Sequence, residues 1–427
     1  MHLVLTLGVF LLTLTLILLR PRGMNEAWAT GMGGAAMLLL GLETPGQAWR
    51  TVAQGADVLA FLLALMALSA LIDLSGFFAW AALHAARMAR GDGGVLYRNV
   101  FILGAVVTML LSLDTTAVIL TPIVLSFVGR LKLSARPFLI ACAFVANTGS
   151  LLLPVSNLTN LLFVGAFHWS FGAFVLRMAL PQIAALAANY ALFRRLFRRE
   201  IPKEYALEGL PRPSEAISDP SYFRAALFVL AGVLIGYFIG ALAGILPYVI
   251  AFAGCLVLIV WGKWRRRVSL RRLSMHISWS LFPFVVGLFV VVRGVENLGL
   301  PALPALAARG LAAAGGASAA QIGVTAFGAG MGSNVVNNIP MALLAISSLR
   351  AAHAGPAAQY GALLGCNLGP NLTVAGSLAT MLVISNARKR GEDIGAADFF
   401  QVGSIATPII LLAAALGLWA ALRVFLG

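Results

Sequence analysis

Ala146 to Asn160 reads ANTGSLLLPVSNLTN, and Cys366 to Thr380 reads CNLGPNLTVAGSLAT. Without gaps the two stretches align at a constant offset of 220 residues, which places Asn147 over Asn367, Gly149 over Gly369, Asn157 over Ser377 and Asn160 over Thr380. Both are set into apolar sequence, and Gly149, Pro154, Gly369, Pro370 and Gly376 oppose a continuous helix through either one. Backbone that stops being helical inside lipid leaves N–H and C=O groups needing partners, which only protein or a water-filled cavity can supply. A duplicated, polar helix break in each half of a membrane protein is how carriers build a midplane site for a small polar solute or ion.

The surrounding composition fits that reading. Hydrophobic residues make up 60% of the 427, charged residues 11%, and the mean hydropathy is +0.94, far outside the range of a soluble domain. Apolar stretches recur throughout, including 3–19, 58–72, 100–113, 174–193, 225–245 and 405–422. The expectation is an all-α polytopic membrane protein of about 10–12 transmembrane helices at about 20 residues each, in two inverted repeats, each with a re-entrant hairpin and a broken helix. The first segment runs straight into Arg20 without a small-residue cleavage site and is read as a retained helix.

A net charge of +15 would suggest nucleic acid in a soluble protein, but here the basic residues sit in short loops. Arg194, Arg195, Arg198, Arg199 and Lys203 form one cluster; Lys263, Arg265, Arg266, Arg267, Arg271 and Arg272 form another. The positive-inside rule places both in the cytoplasm, with two helices between them turning near Leu246-Pro247, and no nucleic acid is implied. Arg20, Arg22, Arg87, Arg90 and Arg98 fit the same side. Cys142, Cys255 and Cys366 lack metal-type spacing, and the five histidines are scattered, so neither a metal nor another cofactor is expected.

Residues 194–223 are the longest polar stretch, carry Pro202, Pro211, Pro213 and Pro220, and divide the chain into repeats at 1–193 and 224–427. Each half carries two polar elements in one order: LDTTAVILTP at Leu113 to Pro122 and then the break at Asn147, SNVVNNIP at Ser333 to Pro340 and then the break at Asn367. Eight of thirteen asparagines fall in these elements, at Asn147, Asn157, Asn160, Asn334, Asn337, Asn338, Asn367 and Asn371. They either line a site or bridge helices as interhelical hydrogen-bonding groups. Asp114 is the one acid between apolar runs, the others lying in loops or near segment ends, among them Glu200, Glu204, Glu208, Glu392 and Asp393. Keeping a carboxylate ionised there is costly, which suits proton exchange; a plainer role is capping the helix that begins at Thr115.

LSGFFAWAALH at Leu74 to His84, DTTAVILTPIV at Asp114 to Val124, VSNLTN at Val155 to Asn160, NNIP at Asn337 to Pro340 and GCNLGPNLTVAGSLAT at Gly365 to Thr380 resemble the bacterial arsenite/antimonite efflux permease, of the ion transporter superfamily. The likeness covers essentially the whole chain, including RREIPKEY at Arg198 to Tyr205. It implies extrusion of As(III) or Sb(III) hydroxide across the bacterial inner membrane in exchange for protons, by alternating access, and it admits a soluble ATPase as partner. Carried over by matching motif, Asp114 and Thr116 take the proton-coupling role, and Asn157, Thr159, Asn337, Asn338, Cys366 and Ser377 join Asn147, Asn367 and Asn371 as substrate-binding candidates. Leu113, Asn147, Asn367 and Asn371 stand where the family often has Asn, Asp, Asp and Lys, which leaves Asp114 as the main protonatable group.

Arsenous acid is a small trihydroxide, largely un-ionised at neutral pH, so amides and hydroxyls suffice to bind it; Cys366 either offers a soft ligand or packs as a small residue at the break. Two other readings compete. A sodium-coupled dicarboxylate carrier or sodium/proton antiporter would place sodium on free carbonyls at the breaks. A membrane-embedded enzyme would need a nucleophile and base or a metal set, and no G-x-S-x-G or H-E-x-x-H stretch is present.

Overall fold

A computed structural model describes residues 2–19, 21, 24–207, 209–297, 309–312, 315, 318–392 and 394–426; Arg20, Arg22, Glu208 and Asp393 lie outside them. Among these residues there is no strand, only an isolated bridge between Asp92 and Glu204. The helices are α1 (His2–Leu19), α2 (Glu26–Leu39), α3 (Pro45–Gln54), α4 (Ala56–Leu74), α5 (Phe77–Met88), α6 (Gly93–Leu110), α7 (Leu113–Arg130), α8 (Ala135–Thr148), α9 (Leu158–Phe167) and α10 (Phe171–Leu196). After the linker come α11 (Pro220–Leu242), α12 (Pro247–Trp264), α13 (Leu270–His276), α14 (Leu281–Asn297), α15 (Ser318–Val336), α16 (Asn338–Ala351), α17 (Pro356–Leu368), α18 (Leu378–Arg388) and α19 (Ala396–Leu426). By length and composition seven are able to cross a membrane, eight if α13 and α14, bent 47° apart, count as one. The apolar helices α1, α8 and α9 fall short of that, so the described residues show fewer full spans than the 10–12 expected.

Both ends of the linker are helical. Arg194 and Arg195 fall in the last turn of α10, where cations meet the negative end of the helix, and Pro220 opens α11 rather than interrupting it, because a first-turn proline loses no hydrogen bond. Asp219 caps α11 by accepting from Ser221 and Tyr222 N–H, and it pairs with Arg265 at 3.2 Å at the far end of α12. The two helices therefore form a hairpin that begins and ends on the linker side. The Arg265 hydrogen bond holds the Asp219 carboxyl down at about 2.

The repeats run in opposite senses. Gly93 N–H donates to Lys203 C=O, and Arg136 at the start of α8 pairs with Glu200 and Asp398, so α6 and α8 both start on the linker side. α6 and α8 are parallel, with Tyr97 against Phe138 and Gly104 against Val145. α15 and α17 are likewise parallel, with Gly361, Gly365 and Gly369 facing Ile322, Ala326 and Gly330, but they start on the opposite side, where Arg350 at the end of α16 donates to Ala166 at the end of α9. A methyl group at Gly365 or Gly369 would overlap backbone atoms of α15, so glycine at four-residue spacing permits this close approach. Hairpin α6–α7 thus enters from the linker side, hairpin α15–α16 from the other, and Gly149 on Thr108 corresponds to Gly369 on Gly330.

Candidate functional site

The two breaks meet inside the protein and hold each other. Asn147 Nδ2 donates to Asn371 Oδ1 (2.9 Å) and Thr380 Oγ1 (3.2 Å), and its Oδ1 accepts from Ser377 Oγ (3.0 Å). Asn367 Oδ1 accepts from Asn157 Nδ2 (3.1 Å) and Thr159 Oγ1, while its Nδ2 donates to Asn160 Oδ1 (2.7 Å). Asn371 Nδ2 reaches Thr148 Oγ1 (3.2 Å). All of these side chains are buried, so the bonds join α8–α9 to α17–α18 as a buried polar clasp. The candidates Asn147, Asn157, Thr159, Asn367, Asn371 and Ser377 all belong to it. Cys366 is buried beside Ser333 on α15, and the three cysteines are free and dispersed.

The clasp also satisfies the broken backbone. Gln182 Oε1 accepts from Leu151 and Leu152 N–H and Gln182 Nε2 donates to Thr148 C=O (2.7 Å), while Asn160 Nδ2 donates to the carbonyls of Ser150 and Leu153. In the other repeat Asn334 donates to Gly330 and Gly369 C=O and accepts from Thr373 N–H and Oγ1. Gln182 was not singled out by sequence, although an amide directly after Pro181 in the apolar α10 is a readable signal.

The hairpin tips differ from the clasp. At the second, Asn337 takes φ +73°, uncommon for a residue with a side chain, and donates to Ala375 C=O (3.0 Å). The Oδ1 atoms of Asn337 and Asn338 are buried without a hydrogen-bond partner among the described residues. An orphaned buried acceptor costs about 1–3 kcal/mol, so this tip is ready for a ligand that brings donors.

At the first tip Ser112, not Asp114, caps the helix: Ser112 Oγ accepts from Thr115 N–H (3.1 Å), and the helix starts at Leu113. That corrects the capping alternative and leaves the Asp114 carboxyl without a hydrogen-bond partner among the described residues. Asp114 is half-buried and lines a cavity of about 30 Å³, enough for a water molecule, with Ser69, Ser112, Thr115, His276 and Ser278. Thr115 Oγ1 is bonded to Ser69 Oγ at 2.9 Å. Thr116 turns away, bonding Thr108 Oγ1 (2.7 Å) inside the hairpin where α7 makes a π-helical turn, so Thr115 is the threonine beside Asp114 in the cavity. Ser278, Leu281 and Leu382 are shared with an adjoining cavity of about 130 Å³ that reaches Asn25, Glu26 and Leu378. His276 Nδ1 lies 2.8 Å from Arg272 C=O; a carbonyl only accepts, so a neutral ring carries its proton on Nδ1 and keeps a lone pair on Nε2.

A third cavity, of about 430 Å³, opens at the opposite end of the molecule between α3, α4, α14 and the α9 and α16 helices, with His168, Glu296 and Arg350 at its rim. Cavities therefore approach the clasped unit from both sides. No group of three or more His, Cys, Asp or Glu able to hold a metal occurs among the described residues.

Comparison with known proteins agrees with this architecture. The sequence profile of the family described as arsenical pump membrane protein matches residues 5–422. Arsenical pump membrane proteins of Escherichia coli (strain K12) and Yersinia enterocolitica are 33% and 35% identical over 419 residues, each alignment covering 95% of both chains. A putative arsenical pump membrane protein of Bacillus subtilis (strain 168) is 25% identical, covering 94% of this chain and 96% of its own. Among solved structures, the Alcanivorax borkumensis YdaH transporter superposes with a TM-score of 0.53 at 18% identity, covering 88% of this chain and 87% of its own. Neisseria gonorrhoeae MtrF, of a class of antimetabolite efflux pumps, gives 0.53 at 13% identity, covering 84% and 80%. These two likenesses concern the fold alone.

Proposed function

Because the chain belongs to the arsenical pump membrane protein family, and so to membrane transporters rather than enzymes, we propose that it expels As(III) or Sb(III) hydroxide from the cytoplasm in exchange for protons by alternating access. The observation that carries proton coupling is Asp114. Its carboxyl sits half-buried at a hairpin tip, Ser112 has taken over the capping role, and hydroxyls and an imidazole share its cavity. An ionisable residue so placed within a membrane protein is a functional candidate by default, and a carboxyl with hydroxyls and an imidazole around it is chemically suited to exchange a proton. His276, with its lone pair on Nε2, relays the proton between that cavity and the cytoplasm on the linker side.

Substrate recognition falls to the second hairpin tip. Arsenous acid presents hydroxyl donors and no charge, and the orphaned Oδ1 atoms of Asn337 and Asn338 accept without demanding a counter-ion. The clasp makes the two broken helices move together, and the cavities on either side supply the two access routes. Sodium coupling draws less support, since the carbonyls of Thr148, Ser150, Leu153, Gly369 and Ala375 already accept from side-chain amides.

The test is arsenite uptake into everted vesicles with an acidic interior, with and without protonophore, sodium and ATP. Accumulation that needs the gradient, ignores sodium and collapses with protonophore supports the antiporter. A strict sodium requirement refutes it, and a strict ATP requirement would show that a soluble ATPase drives transport instead.

A further inference from the structure

Topology asks only that the positive charge of Arg194 to Lys203 lie on one side of the membrane, which any arrangement of those side chains would satisfy. The fold does more: Arg194, Arg195, Arg198 and Lys203 line one open concavity of about 640 Å³, closed on its other side by Asp92, Gly94 and Tyr97 of the opening of α6. Its walls are tied together by the Gly93 N–H to Lys203 C=O bond. None of the four cations forms an ion pair with a carboxylate among the described residues. Two of the nearby acids are engaged elsewhere, Asp92 accepting from Val95 N–H at 2.8 Å and Glu200 from Arg136, while Glu204 is exposed.

Two further features point to an anionic occupant. Gly94 is in the first turn of an 18-residue helix, where N–H groups lack intrahelical acceptors and the positive end of the dipole favours anions. One turn on, Tyr97 is 1% exposed, and its hydroxyl has no hydrogen-bond partner among the described residues. The concavity lies where α10 passes from apolar sequence to the basic linker, the kind of boundary at which lysine and arginine meet anionic headgroups. We propose that it binds a phosphate-bearing anion, the headgroup of an anionic phospholipid in the adjoining leaflet. Guanidinium groups bind phosphate oxygens in pairs, and basic pockets at this level hold such headgroups in other membrane proteins. The site shares no residue with the Asp114 cavity, the clasp or the Asn337 tip, so it stands or falls independently of which ion drives transport.

The experiment is thermal unfolding of the full-length protein, purified in neutral detergent, titrated with phosphatidylglycerol, phosphatidylcholine or inorganic phosphate. Phosphatidylglycerol is expected to raise the unfolding temperature saturably, and phosphatidylcholine to leave it unchanged. Each of Arg194→Gln, Arg195→Gln and Arg198→Gln should raise the half-saturating lipid concentration about fivefold, the effect of losing about 1 kcal/mol from one cation that faces the headgroup. A control, Arg271→Gln, removes the same charge from the second basic cluster, on α13, and should leave the titration unchanged. Saturation by inorganic phosphate with no added effect of lipid would keep the anion site but overturn lipid as its source. Equal shifts with phosphatidylcholine, or single variants that titrate like the control, would overturn the site.

Discussion

Asn367→Ala distinguishes a clasp from a substrate site. In the folded protein Asn367 makes three bonds across the breaks, to Asn157, Thr159 and Asn160, and Thr159 Oγ1 and Asn160 Oδ1 have no other partner among the described residues. Asn157 Nδ2 keeps Ser150 Oγ at 3.1 Å. Truncation therefore orphans two buried groups at about 1–3 kcal/mol each, a total of roughly 2–6 kcal/mol. Within a membrane the unfolded reference also finds partners and a polar contact averages about 0.6 kcal/mol, so three lost bonds give about 2 kcal/mol. Both routes meet near 2 kcal/mol, the expected loss. The assay is equilibrium unfolding of purified protein in mixed micelles with increasing SDS, beside Asn386→Ala, which loses a single bond to Ala117 C=O. A loss no larger than that control, together with a raised half-saturation for arsenite in vesicles, would refute the clasp and return Asn367 to direct substrate contact.

Three other outcomes follow from the geometry. Asp114→Asn preserves shape and the Ser112 cap, so it should fold normally yet abolish gradient-driven accumulation; everted vesicles that still reach the wild-type arsenite ratio would remove Asp114 from coupling. Gly369→Ala would push a methyl group into Gly330 and should cost about 1–3 kcal/mol, whereas Gly232→Ala, with open space around it, should be neutral or stabilising by up to about 1 kcal/mol; unfolding of the pair in SDS checks the order. Glu43, in the loop after α2, is 1% exposed with neither carboxyl oxygen hydrogen-bonded among the described residues, and burial pushes its pKa up to about 7 against the opposing pull of Arg293. The folded state thus holds this proton more tightly than the unfolded chain, whose glutamate titrates near roughly 4.3, so stability is full below that value and falls as pH rises to about 7. Glu43→Gln should flatten that slope in a thermal-unfolding series, and an unchanged slope would assign it to another group.

The fold was readable because its signals are local. Helix breaks announce themselves through Gly149, Pro154, Gly369 and Pro370, and the constant register between the two segments is visible without any coordinates. The first polar pair resisted alignment by sequence, since LDTT and SNVVNN share little; parallel packing of α6 on α8 and of α15 on α17 supplies the register by placing Thr108 and Gly330 in equivalent positions. Individual roles were harder to read. Asn147 and Asn337 look alike in sequence, yet one has its amide fully engaged and the other keeps a spare acceptor, because hydrogen-bond satisfaction depends on what the opposite repeat brings within about 3 Å. Thr115 and Thr116 part company for a similar reason: adjacent helical residues point about 100° apart, and only packing says which one meets Ser69 and which meets Thr108.

Composition and the spacing of polar interruptions by themselves determined an all-helical membrane protein built from two repeats, with one acid, Asp114, held between apolar runs. Those properties depend on transfer free energies and backbone propensities, which act residue by residue. Tertiary structure alone decided that five of the eight asparagines in the polar elements fasten the repeats to each other, that Ser112 releases Asp114 to a cavity shared with His276, and that four basic side chains of the linker region surround one concavity. Each of these joins groups distant along the chain, and a hydrogen bond or a cavity exists only where folding brings such groups into contact.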